Sequence, residues 1–119
     1  MANPFCHVEL MTNDLEGSRK FYKSLFDWKL EELPSGDYTM IQVGAGTGGG
    51  MLKNPVPGTP SSWLAYIQVS DVAASTKRAT ELGAKVLKDK SEVPGMGWFS
   101  VLADPTGAAF ALWEPRRKA

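Results

Sequence analysis

The sequence predicts a small α+β domain built from two βαβββ modules that form a curved mixed sheet around a pocket. Three observations lead there. A chain of 119 residues is one domain's worth. Its apolar residues switch between a period of two and a helical period in the same order twice. A stretch rich in proline and glycine separates the two runs.

His7 to Thr12 reads as the first strand, with Val8 and Leu10 alternating against His7, Glu9 and Met11. Asp14 is placed to cap the next helix by accepting a hydrogen bond from an orphan amide of its first turn. Leu15, Ser18, Phe21, Tyr22, Leu25 and Phe26 then recur at helical spacing, and the helix ends near Asp27. Strands follow at Trp28 to Leu33 and Tyr38 to Val43, joined by the turn residues Pro34-Ser35-Gly36-Asp37. The glycine-rich run Gly44 to Gly50 leads into a short strand, Met51 to Asn54. That run lacks the lysine-serine ending of a phosphate loop and no helix follows it, so it reads as a flexible hairpin.

Residues 56–62 are the linker, leaving module one at 5–55 and module two at 63–115. The pattern then restarts. Trp63 to Val69 is a strand, Asp71 a cap, and Val72, Ser75, Ala79 and Leu82 a helix face that Gly83 closes. Strands at Lys85 to Leu87, Trp98 to Ala103 and Ala108 to Trp113 complete the module, the last two joined by the turn Asp104-Pro105-Thr106-Gly107. Laid over each other, the halves match Asp14 with Asp71, Ser18 with Ser75, Lys20 with Lys77 and Leu25 with Leu82.

Composition narrows the function classes. Thirteen basic residues balance thirteen acidic ones, and the only basic run is the tail Arg116-Arg117-Lys118, so nothing here is an electrostatic footprint for nucleic acid. Cys6 is the single cysteine, which rules out an intrachain disulfide and a cysteine-based zinc site. The N-terminus lacks the basic and apolar regions of a signal peptide, and no apolar run reaches the roughly 18–20 residues that span a bilayer. The expectation is a cytoplasmic protein with no membrane partner.

The stretch His7-Val-Glu-Leu-Met-Thr-Asn-Asp-Leu-Glu-Gly-Ser-Arg-Lys-Phe-Tyr22, with Asp104-Pro-Thr-Gly107 and the duplication between them, resembles the vicinal-oxygen-chelate superfamily of glyoxalase I, bleomycin-resistance proteins and extradiol dioxygenases. The resemblance covers nearly the whole chain. It implies a pocket between the modules, a homodimer, and in metal-dependent members one divalent ion held from the first and fourth strands of each module. Those positions fall here on His7, Met51, Leu64 and Ala111, of which His7 alone is a usual ligand. Glu9 adds one more donor, still short of the three or four that a divalent ion needs at about 2.0–2.2 Å. No metal and no cofactor are therefore expected.

His7 and Glu9 stay the most chemically suggestive pair, about 6.6–6.8 Å apart on one strand face. Glu9 can orient or charge-stabilise His7 as a general base; the alternative is two polar residues on a pocket wall with no chemistry. Strand alternation puts Met40, Gln42, Tyr66, Gln68, Ser100 and Trp113 on the pocket wall, with Trp98 or Phe99 beside them, and the resemblance adds Met51, Leu64 and Ala111. Such a methionine and aromatic wall suits a flat apolar ligand, and equally a plain core. Cys6 alternates against His7 and is not expected to pair with it as a nucleophile. Two readings remain: a metal-independent binder of an apolar or aromatic small molecule, or a glyoxalase- or dioxygenase-like enzyme using His7 and Glu9 as acid and base or as a partial metal site.

Overall fold

The computed structural model describes residues 2–34 and 36–117. Ser35 of the predicted turn and Lys118 of the basic tail lie outside them. The described chain forms eight strands and two helices in the order β1 Phe5–Thr12, α1 Leu15–Leu25, β2 Lys29–Glu32, β3 Thr39–Gln42, β4 Gly49–Lys53, β5 Ser62–Gln68, α2 Val72–Glu81, β6 Lys85–Val93, β7 Gly97–Ala103 and β8 Ala109–Pro115. This is the βαβββ unit written twice, an α+β fold with mixed strand pairing.

The chain divides into two compact units, His7–Leu64 and Ala65 onward, the latter taking up the N-terminal residues through Cys6. In the His7–Leu64 unit the strands lie in the order β2-β3-β4-β1. Here β1 and β4 run parallel, with Glu9 opposite Gly50 and Leu10 opposite Met51, while the other pairs are antiparallel. Asp14 caps α1 as expected, its Oδ1 accepting from the Gly17 amide at 2.9 Å. The helix lies over one sheet face. Leu10, Ile41 and Met51 are buried there against Leu15, Tyr22, Trp28, Leu30 and Val43. The Thr12 and Ser18 hydroxyls share a 2.7 Å hydrogen bond between β1 and α1. The proline-rich stretch of residues 56–62 is a folded loop of this unit rather than a loose connection: Asn54 Nδ2 donates to the Thr59 and Pro60 carbonyls, and Asn13 Nδ2 to the Thr59 carbonyl.

The second unit repeats the plan with strands in the order β5-β8-β7-β6, β5 and β8 parallel. Its N-terminal segment adds alongside β5, the Gln68 amide donating to the Pro4 carbonyl at 2.9 Å. Asp71 caps α2 through the Ala74 amide, and Gly83 follows the helix at φ +103°, a left-handed conformation that favours glycine. Val69, Val72, Leu102 and Leu112 form the core under α2, joined by Ile67, Ala79, Val86 and Phe110. Leu102 is fully buried, a contribution of about 2–3 kcal/mol.

Four strands differ from the sequence reading by two residues or more, β1 starting at Phe5 and β8 ending at Pro115 among them. β4 begins at Gly49, two residues early, because the glycine backbone already pairs with Val8 of β1. β6 continues to Val93 rather than stopping at Leu87, since irregular register between Val86 and Ser91 lets a broken alternation stay paired with β7.

Candidate functional site

Residues on β1 that point away from α1 are His7, Glu9 and Met11, because Leu10 and Thr12 are spent on the helix side. On β3, Ile41 sits in the core and Thr39 meets Arg19 of α1, so Met40 and Gln42 share the face of His7 and Glu9. Tyr38, just before β3, completes the group. Its hydroxyl lies 2.7 Å from His7 Nε2 and donates to Glu9 Oε1 at 2.9 Å. The two rings stack with centroids 6.4 Å apart.

The direction of this chain follows from proton counting. A phenol has one proton, and Tyr38 gives it to Glu9; His7 Nε2 must then donate to the phenol oxygen. The imidazole is accordingly the Nε2–H tautomer, with Nδ1 as its basic nitrogen. Burial pushes the His7 pKa below its ordinary value, which keeps the ring neutral at neutral pH and agrees with that tautomer. The Tyr38 phenol thus links Glu9 to His7.

The same geometry tests the ion that metal-dependent relatives hold. His7 Nε2 and Glu9 Oε1 are both engaged by Tyr38. The β4 residue beside Glu9 is Gly50, and a Cβ there would overlap the Tyr38 phenol ring. The phenol therefore occupies the space over Gly50, beside His7 and Glu9. Among the described residues no group of three or more histidine, cysteine or acidic side chains is set to hold a metal ion. His7 and Glu9 thus supply two donors, both hydrogen-bonded to Tyr38, where a divalent ion takes three or four.

Placement of the other expected residues is mixed. In the second unit Tyr66 packs its ring against Phe99 at 6.3 Å, and Tyr66 pairs with Ala111 and Gln68 with Trp113 across the parallel strands. These lie on the face away from α2. Leu64 is buried. Three assignments are corrected. Met51 is fully buried on the α1 side with Leu10 and Ile41, since its register partner is Leu10 and not His7. Ser100 turns to α2, where its hydroxyl meets Thr76 Oγ1 at 2.8 Å. Trp98 lies on that same side, its ring beneath Lys90 Nζ and the Arg116 guanidinium, so Phe99 and not Trp98 accompanies Tyr66. The missed residue is Tyr38, which the alternation through Met40 and Gln42 already marked. The Cys6 thiol donates to the Tyr66 carbonyl, and burial raises its pKa, which keeps it protonated.

Residues 7–113 match the glyoxalase-like domain family. The chain belongs to this family. With it comes membership of the vicinal-oxygen-chelate superfamily. The glyoxalase-like chain is 31% identical over 110 residues to "Putative glyoxylase CFP32" of Mycobacterium tuberculosis, covering 90% of this chain and 42% of that protein. It is 29% identical over 123 residues to "Anthracycline biosynthesis protein DnrV" of Streptomyces peucetius, covering 89% and 45%. The chain thus spans less than half the length of these curated relatives. Among solved structures it is similar to methylmalonyl-CoA epimerase from Mycobacterium tuberculosis, with a TM-score of 0.69 at 15% identity over 95% of this chain and 88% of that one. That likeness shows the fold. No helix among the described residues is long and apolar enough to cross a membrane.

Proposed function

We propose that this glyoxalase-like chain binds an apolar or aromatic small molecule without the help of a divalent metal, against the sheet face that carries His7, Tyr38 and Glu9. The observation that carries the reading is the Tyr38 hydroxyl, which ties up both candidate metal donors and fills the space over Gly50. Met40 and Gln42 beside it supply a polarisable surface and an amide on the same strand. Tyr66, Phe99 and Trp113 give the second unit an aromatic face of its own, together with Gln68 and Ala111. A relative named for anthracycline biosynthesis is consistent with a flat fused-ring ligand.

The reading takes a cytoplasmic homodimer as its working form. Phe21, Leu25 and Phe26, large apolar side chains left exposed on and just after α1, support an association of chains. The test of metal independence is equilibrium dialysis of chelator-stripped protein against zinc, nickel and manganese. Less than a tenth of an ion per chain at micromolar free metal is expected; one tightly held ion per chain overturns the reading.

An enzymatic reading is favoured by one specific feature, the neutral imidazole that burial holds at the head of a phenol–carboxylate chain. Such a ring can take a proton at neutral pH and share the resulting charge with Glu9 through Tyr38. His7→Ala separates the two readings. Retained ligand affinity with lost turnover of a glyoxalase or dioxygenase substrate establishes the enzyme; no turnover in either protein leaves the binder.

A further inference from the structure

On the opposite side of the His7–Leu64 unit, a cavity of about 250 Å³ opens between α1 and the strands β2 and β3. It is lined by Arg19, Lys20, Lys23, Leu30, Glu32 and Thr39. Three cations face one carboxylate in this lining, and with Glu16 beside Arg19 the groove keeps one positive charge in excess.

Arg19 is the built part of it. Its side chain is 22% exposed, and its Nε donates to the buried Thr39 Oγ1 at 3.0 Å, which fixes the guanidinium against the sheet. The outer edge of the fork is poorly satisfied. NH1 stands 3.9 Å from Glu16 and NH2 3.9 Å from Glu32, well beyond the roughly 2.7–2.9 Å of a charge-assisted hydrogen bond. Both carboxylates are on largely exposed side chains and neither closes on the fork. A planar pair of donors, held from behind and open in front, matches an oxyanion. Lys20 and Lys23 add two point charges at the rim, and Leu30 offers an apolar wall for whatever the oxyanion is attached to.

We propose that this groove binds a phosphate monoester of a small organic molecule, with the Arg19 fork on the phosphate oxygens and Lys20 and Lys23 neutralising its second charge. A tetrahedral dianion can use the Arg19 fork and the rim lysines at once, which a planar monoanionic carboxylate does not. The inference is independent of the metal-free reading of the His7 face, since the two groups of residues lie on opposite sides of the sheet.

Phenyl phosphate is the probe, titrated by calorimetry at low ionic strength and followed by the Arg19 Nε–H resonance, with inorganic phosphate and phenol as the head and body alone. Phenyl phosphate is expected to bind more tightly than inorganic phosphate, and phenol to show no binding. Arg19→Gln weakens phenyl phosphate by about tenfold or more. Lys20→Gln and Lys23→Gln, at exposed positions that leave the fold alone, each weaken it by a smaller factor. Glu32→Gln removes one of the two carboxylates beside the fork and tightens binding by about threefold, a gain that misfolding cannot produce. Unchanged affinity in Glu32→Gln together with unchanged affinity in Arg19→Gln, or no detectable binding of phenyl phosphate to the wild-type chain, overturns the proposal.

Discussion

At the scale of single residues, the Tyr38 hydroxyl joins a neutral imidazole to a carboxylate, and its removal is directly measurable. Tyr38→Phe deletes the shared oxygen and leaves His7 Nε2 and Glu9 Oε1 without that partner, a loss of about 1–3 kcal/mol of stability by denaturant unfolding. His7 is the only histidine, which makes its titration unambiguous by proton NMR. Its pKa is lowered from 6.5 by burial, so the folded state holds fewer protons than the unfolded chain as the pH falls below that value. Stability is expected to fall through that window, from about pH 6.5 down to the lowered folded value, and to level off below it. His7→Gln flattens this part of the profile; an NMR pKa at or above 6.5 in the folded protein contradicts it.

At the scale of elements, strand parity separates site from core. Two buried hydroxyls, Thr76 on α2 and Ser100 on β7, satisfy each other at 2.8 Å. Replacing one alone, as in Thr76→Val, strands its partner and is expected to cost about 1–3 kcal/mol. The double variant Thr76→Val with Ser100→Ala should cost less than the two single changes added together, which a double-mutant cycle reads directly. Gly50 is the matching case on β4. Gly50→Ala forces a Cβ into the Tyr38 ring, and the expected result is a displaced phenol and a His7 resonance shifted from its wild-type position. These elements also show where sequence reading ran short. The alternation on β1 and β3 placed His7, Glu9, Met40 and Gln42 on one face correctly. Met51, carried over as a family position, faces α1 instead, because the register of β4 against β1 is set by tertiary pairing of a glycine-rich backbone that has few side chains to declare a face. Ser100 and Trp98 failed for a related reason: a small polar residue and a half-exposed aromatic carry no clear inside or outside signal, and α2 and the cations of Lys90 and Arg116 decide their side.

At the scale of the whole molecule, the proposed homodimer predicts a mass by light scattering near twice 12.9 kDa at micromolar concentration; a monomer counts against it. The repeat of βαβββ was legible because each half carries its own punctuation: an aspartate cap, a helical apolar stripe and alternating strands. The sequence by itself thus determined the α+β class, the duplicated element order, both helix caps, and the resemblance that the family match bears out. Those features depend on local hydrogen bonding and periodicity, which neighbouring residues specify. Only the tertiary structure decided that Tyr38 stands between His7 and Glu9, that Gly50 yields its place to a phenol, and that Arg19 is held with its fork facing a groove. Each of those depends on the register between strands distant in sequence, or on a helix laid across them.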